Sequence, residues 1–398
     1  MYLLPKPKTI KEQDGQMLLC HSTHIVMTKE VAETEMHAAK RLQEAIRQET
    51  GLILPFSVGE VREGDLSLGI AKTLPEQTYE ITIDEKGGQI SGGDGAGVLY
   101  GVETFCQIVQ QCGGILPCVQ IQDAPDMPNR GYYFDQTRGR VLKLEELKKI
   151  ADRMCRYKLN QLQLYVEHTY LFRDFSEMWR DQTPLTAEEI RELDSYCRER
   201  HIELVPSLAS FGHLCTLLST KTYGDLCEME DSWKEPFSFW NRMRYHTINV
   251  SDERSLPLIK KMIAEYMQLF SSNKFNICAD ETFCLGKYKS KKLAEERGVH
   301  RLYIDYVKEL AQFLVENGKI PMFWGDIIWN SPELMKELPE SMICLNWGYA
   351  PEQREDETRA IAQTGAVQYL CPGVCGWNQW ANLIENSYKN ITRMCGYA

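Results

Sequence analysis

The residues best suited to chemistry in this 398-residue chain are two neighbouring acids, Asp280 and Glu281, which close the run KFNICADE (274–281). Adjacent carboxylates repel, so one of the pair is expected to keep its proton above the usual carboxylate range. A protonated carboxyl can donate to a glycosidic oxygen while an ionised neighbour stabilises developing positive charge. Asp-Glu is also a common dipeptide at solvated helix starts. What sets this one apart is the apolar stretch before it, which reads as a strand. Other strand-like runs end in Asp135 with Arg138 and Arg140, in Glu167–His168, in Phe211–Gly212–His213, in Trp324 with Asp326, in Trp347 with Tyr349, and in Trp377, Asn378 and Trp380. Indole faces stack on the apolar face of a pyranose and carboxylates accept from its hydroxyls, so acids and indoles gathered on one rim suit a sugar pocket. Plainer roles stay open: Trp324 and Trp347 as core, His213 as a structural histidine, Arg130 as an ion-pair partner of Asp135.

These residues need a scaffold that gathers strand ends. From Arg130 onward, strands over 130–136, 161–167, 202–208, 274–280, 320–326, 342–348 and 367–376 alternate with helices over 144–157, 186–200, 255–271, 300–317, 332–338, 351–363 and 386–396. Seven βα units in regular order predict an α/β fold, a (β/α)8-type TIM barrel, with its chemistry at the C-terminal strand ends. The eighth strand is expected to be lacking in this chain. No strand is followed by a Gly-rich phosphate loop, which argues against a dinucleotide site. Residues 1–125 read as a small α+β domain, with a helix over 29–50, strands over 66–72 and 79–93 turning at Gly87–Gly88, and a helix over 95–111. QDAPDMPN (122–129), with two prolines, reads as the linker, so the expected domains are 1–125 and 126–398. The segment 214–246, with Trp233, Phe237, Phe239 and Trp240, is long enough to be a lid or a platform for a leaving group.

With 45 Lys+Arg against 56 Asp+Glu, the net charge of −11 makes nucleic acid and anionic membrane surfaces poor partners. No apolar window is long enough for a transmembrane helix. The N-terminus reads as a mature, unexported start, and in such a chain the Asn390–Thr392 sequon carries no meaning. The 14 cysteines follow no zinc spacing and read as free thiols of a reducing cytoplasm. Neither a metal nor a cofactor is expected.

Four segments carry a resemblance. GDGAGVLYGVETFCQIVQ (93–110), PNRGYYFDQTRGRV (128–141), RYKLNQLQLYV (156–166) and FNICADE (275–281) occur in an order similar to that of glycoside hydrolase family 20, the β-N-acetylhexosaminidases. The resemblance implies exo-acting, retaining hydrolysis of terminal β-linked GlcNAc or GalNAc, in which the sugar's own acetamido oxygen is the nucleophile. It implies that Asp280 orients that acetamido group and that Glu281 is the general acid and then the base. Arg130, Glu167, His168 and His213 would bind sugar hydroxyls. Trp324, Trp347, Tyr349 and Trp377 would wall the pocket, with Tyr369 a second choice for the acetamido-binding tyrosine. Glu167–His168 stands in place of the family's Asp-Asp, Ala209 in place of an Asp, and Cys278–Ala279 in place of Gly-Gly. A catalytically silent sugar-binding barrel and a β-N-acetylgalactosaminidase of a related acetamido-dependent family are the competing readings.

Overall fold

The computed structural model describes residues 1–236, 238–377 and 379–398; Phe237 and Asn378, both singled out above, lie outside them. The chain divides into two compact units. One comprises Met1–Tyr132, Leu144–Leu162 and Leu193–Glu203, the other Tyr133–Lys143, Gln163–Glu192 and Leu204–Ala398.

The first unit is built on seven strands: β1 (Thr9–Leu18), β2 (Ile25–Met27), β3 (Phe56–Val58), β4 (Leu66–Ile70), β5 (Tyr79–Asp84), β6 (Gly87–Gly92) and β7 (Ile115–Asp123). Their order is β1-β7-β5-β6-β4-β2-β3, antiparallel from β1 to β6 and parallel from β6 to β3. Alternation in β5 buries Tyr79, Ile81 and Ile83. The helix Gly95–Cys112 is apolar nearly all round and accordingly buried from Ala96 to Val109. Asp94 caps it by accepting from the Gly97 amide at 2.7 Å. Two expectations change. The β5–β6 turn falls at Glu85–Lys86 rather than at the glycines, because the Asp84 carboxylate accepts from the amides of Lys86 (2.8 Å) and Gly87 (3.1 Å). The expected 29–50 helix is two helices, Lys29–Thr34 and Met36–Thr50. Between them Glu35 leaves helical geometry at φ −121°, and its buried carboxylate lies 2.8 Å from His201 Nε2.

Strands β8 (Gly131–Asp135), β9 (Gln161–Val166), β10 (Glu203–Leu208), β11 (Lys274–Asn276), β12 (Ile320–Trp324), β13 (Ile343–Gly348) and β14 (Gln368–Pro372) form the second sheet in plain sequence order. Every pairing from β10 to β14 is parallel. All six residues of β9 are buried, as expected of a strand covered on both faces. The helix Ala187–Arg198 opens with the expected capping box: Thr186 N–H donates to Glu189 Oε2 (2.9 Å) and Glu189 N–H to Thr186 Oγ1 (3.2 Å). The segment 214–246 is not structureless. It holds short helices at Cys215–Leu218 and Phe239–Arg244 and 3-10 turns at Gly224–Leu226 and Ser232–Lys234.

In the first unit, Lys158 Nζ donates to Tyr79 Oη at 2.7 Å and pairs with Asp123 Oδ2 at 3.2 Å, its side chain only 7% exposed and that of Asp123 12%. Burial pulls the Lys158 ammonium below its ordinary range, against the opposing charge of Asp123. Removing one partner of such a pair strands the other. Asp123→Ala is therefore expected to lose about 3–5 kcal/mol, read as a lower urea midpoint; an unchanged midpoint would show that Lys158 is satisfied without it.

Candidate active site

The loop after β11 does what the sequence asked of it by an unusual backbone. Cys278, Ala279 and Glu281 all have positive φ (58°, 63° and 48°), a conformation that disfavours any residue with a Cβ. This explains why β11 stops at Asn276 rather than running to Asp280. The turn is pinned from several sides. Ile277 N–H donates to Met322 O (2.9 Å) and Trp324 N–H to Cys278 O (2.8 Å). Ser210 Oγ donates to Ile277 O at 2.6 Å and Tyr303 Oη to Ala279 O at 3.0 Å. Asp326 Oδ2 accepts from the Glu281 amide at 3.0 Å. Gly212 lies so close that a Cβ there would sit 2.6 Å from Asp280 O.

The turn aims both acids at one histidine. His213 Nε2 is 3.4 Å from Asp280 Oδ2 and 3.2 Å from Glu281 Oε2. The histidine is buried, while the acid side chains remain 18% and 27% exposed. Burial opposes a charge on His213, but the two carboxylates outweigh it and lift the imidazole to about 10. In turn, burial would raise Asp280, but the His213 charge, with Arg138 behind it, holds its carboxyl below the usual range. The acid that does retain its proton is Asp326, pushed up to about 8 by burial and by the charges of Asp280 and Glu281. The expected rise therefore falls on a third carboxyl, not on Asp280. His213 Nε2 and one oxygen of each acid lie within 4.8 Å of one another, close enough to hold a small cation. A protonated His213 supplies positive charge at the same point.

Glu167 is buried, and its carboxylate accepts from Tyr165 Oη (2.9 Å) and Arg242 Nη2 (3.0 Å), so it holds Arg242 rather than facing solvent. His168, also buried, is kept below its ordinary range by burial, with Nδ1 lying 3.8 Å from Glu167 Oε2. Trp324 is buried edge-on against Tyr133, with centroids 4.9 Å apart. Trp347, Tyr349 and Trp377 form a continuous row, with centroids at 5.0 and 4.3 Å and Trp377 half exposed. Trp329 extends the row at 5.7 Å from Trp347 and anchors its Nε1–H on Asn346 Oδ1 at 2.7 Å. Arg130 belongs to the first unit. Its guanidinium donates to the carbonyls of Met127 and Lys158, to Gln77 Oε1 and to Tyr100 Oη, which leaves it committed there. The guanidinium that acts on Asp280 is that of Arg138, held by Asp135 Oδ2 at 2.6 Å and lying over the Tyr165 ring at 4.7 Å. Arg242 and Trp329 are thus the residues that the sequence reading does not name, while Arg138 and Asp326 stand in it at strand ends without a role. Arg138 had a legible signal, standing three residues after an acid at a strand end.

Residues 1–124 match the family described as "Glycosyl hydrolase family 20, domain 2", and residues 128–394 match "Glycosyl hydrolase family 20, catalytic domain". The chain belongs to glycoside hydrolase family 20. A relative named beta-hexosaminidase from Porphyromonas gingivalis is 24% identical over 411 residues, covering 94% of this chain. This chain spans 50% of that relative's length. One of the same name from Akkermansia muciniphila is 30% identical over 162 residues, covering 35% of this chain and 33% of that protein. Among solved structures, the beta-N-acetylhexosaminidase of Bacteroides fragilis superposes with a TM-score of 0.75 at 18% identity, covering 94% of this chain and 75% of the other. The Vibrio harveyi exo beta-N-acetylglucosaminidase in complex with N-acetylglucosamine gives 0.77 at 19%, covering 93% and 60%. The family 20 fold, a TIM-barrel catalytic domain preceded by an α/β domain, accounts for the seven strands in sequence order.

Asp326 gives a pH signature. Its carboxyl near 8 lies far above the ordinary 3.8, so the native chain keeps a proton that the unfolded chain has released. That contribution to stability is full below about pH 4 and is lost as pH rises through about 8. Asp326→Asn keeps an acceptor for the Glu281 amide and removes the titration. Its melting temperature is expected to exceed wild type at pH 8.5 by at least about 2 °C and to converge with it near pH 4. Two parallel curves would remove Asp326 from this role.

Proposed function

We propose that this family 20 chain removes terminal β-linked N-acetylhexosamine, GlcNAc or GalNAc, from oligosaccharides or glycoconjugates, with retention and with the substrate's acetamido group as nucleophile. The observation that carries this reading is the single buried imidazole facing both Asp280 and Glu281, beside a row of exposed aromatic rings. Asp280, held ionised, suits the residue that orients the acetamido N–H and stabilises the cyclic cation. The acetamido oxygen attacks the anomeric carbon as the bond to the leaving oxygen breaks, and Glu281 gives its proton to that oxygen. A water then attacks the same carbon, loses its proton to Glu281 and reopens the ring of the intermediate. His213 touches both acids and would fix their orientation in each step. Trp347, Tyr349 and Trp377 offer stacking faces for the pyranose. Glu167 and His168 are assigned to holding Arg242 in place, and Arg138 takes the sugar-binding role that Arg130 was expected to fill. We keep the domain division at 1–125 and 126–398 within this reading. We also place the chain in a reducing compartment such as the cytoplasm, a location supported by fourteen cysteines that are all unpaired. Among the described residues, no helix is long and apolar enough to cross a membrane.

Hydrolysis of p-nitrophenyl β-GlcNAc and β-GalNAc tests the reading. Glu281→Gln is expected to lose about 10²–10⁴ in rate, and Asp280→Asn to lose comparably while losing affinity for a thiazoline mimic of the intermediate. Turnover of neither sugar, with retained sugar binding, would favour a silent sugar-binding barrel. Because a Cβ at Gly212 would press on Asp280 O, Gly212→Ala is expected to lower kcat at least tenfold while leaving the protein folded by circular dichroism. Wild-type kcat in that variant would mean that the pair tolerates displacement.

A further inference from the structure

A cleft is lined in part by the residues that follow Glu281 by two and three positions, Phe283 and Cys284. It has a volume of about 270 Å3 and is lined by Arg244, Tyr245, Phe283, Cys284, Lys287 and Tyr288. This is just below the roughly 300–1,000 Å3 that encloses a drug-sized ligand, a size suited to one sugar unit. Phe283 follows Glu281 by two residues, and its amide donates to Glu281 O at 2.7 Å. The backbone bond keeps the cleft wall within one tight turn of the residue read above as the general acid, which makes it a candidate neighbour of the leaving group.

The cleft's chemistry is specific. Phe283 and Tyr288 are 42% and 43% exposed, which leaves aromatic faces open. Arg244 and Lys287 are both exposed, and neither has an ion-pair partner among the described residues. No carboxylate lines the cleft. The carboxylate closest to the lining is the buried Glu228, which is turned to the backbone amide of Tyr288 and to Ser290 rather than into the cleft. In a chain of net charge −11, two cations without an ion-pair partner among the described residues, Arg244 lying over the Trp240 ring at 5.3 Å, form a local exception to the prevailing field. An aromatic face takes a pyranose, while a guanidinium takes a carboxylate or sulfate by paired hydrogen bonds.

The cleft is also held in shape. Cys284 Sγ donates to Arg244 O at 3.0 Å, which ties the loop after β11 to the end of the helix Phe239–Arg244. The buried Glu228 accepts from Tyr288 N–H (3.2 Å), Ser290 N–H (3.0 Å) and Ser290 Oγ (2.6 Å). A preformed site does not have to order its walls on binding.

We propose that this cleft is the leaving-group subsite and that it selects an anionic sugar, one bearing a carboxylate or a sulfate, next to the N-acetylhexosamine that is released. The inference rests on the hydrolase reading above and adds the class of the second sugar. Arg244 and Lys287 set the preference, with Phe283 and Tyr288 as the stacking surface.

The test compares kcat/KM for paired disaccharides, using the N-acetylhexosamine that the p-nitrophenyl assay selects. In one arm it is linked to glucuronic acid or to glucose, in the other to galactose 6-sulfate or to galactose. An acidic-over-neutral preference of about tenfold is expected in at least one arm at low salt, shrinking as ionic strength rises. The arm that responds identifies the anion. In the double variant Arg244→Gln/Lys287→Gln that preference is expected to fall to within twofold, through loss of rate on the acidic members. Equal rates on acidic and neutral members in both arms, or a preference that survives the double variant, would overturn the proposal. If the p-nitrophenyl sugars are not turned over, the hydrolase reading has failed, and the cleft is judged by calorimetric binding of the same pairs. Equal affinity for acidic and neutral members would then sink the anionic subsite as well.

Discussion

One buried imidazole holds this site together. His213 sits between Asp280 and Glu281 at 3.4 and 3.2 Å. Without its positive charge, two carboxylates on adjacent residues, with a third from Asp326 bonded to the Glu281 amide, would repel one another in a poorly hydrated place. The cluster resolves that conflict by dividing the protons. His213 is held charged, Asp280 ionised and Asp326 protonated. Each assignment depends on the others, which is why three acids can approach one another without a partner lysine or arginine in direct contact.

The backbone carries the other half of the arrangement. Three residues with side chains, Cys278, Ala279 and Glu281, accept left-handed geometry so that consecutive acids can both reach the same histidine. In a regular strand neighbouring side chains would point to opposite faces. The unfavourable conformations persist because hydrogen bonds from Ser210, Tyr303 and the Glu281 amide, together with the tight packing at Gly212, leave the loop no alternative.

Much of this was legible in the sequence, for reasons that can be named. The alternation of strands and helices after Arg130 is legible by periodicity, which survives best where a strand or helix buries a consistent set of residues, as in Gln161–Val166 and Val299–Glu316. Asp280, Glu281 and His213 could be found because each ends an apolar run. What periodicity cannot read is a side chain's partner. Arg130 and Arg138 both flank the same short strand, and only the hydrogen bonds of Arg130 to Met127, Lys158, Gln77 and Tyr100 show which of them is committed elsewhere. Glu167 looked available for the same reason, until Tyr165 and Arg242 are seen to fill its lone pairs. The break at Glu35 and the turn at Glu85–Lys86 were missed because single carboxylates, not hydrophobic spacing, decide them.

The thiol of Cys278 has a further consequence. Two residues before Asp280, it lies 3.3 Å from Ser207 Oγ and 3.8 Å from Tyr133 Oη. The residue is 1% exposed beneath a left-handed backbone turn, so a thiol reagent reaches its sulfur only when that turn opens, and its labelling rate would report how often the loop carrying the acids comes apart.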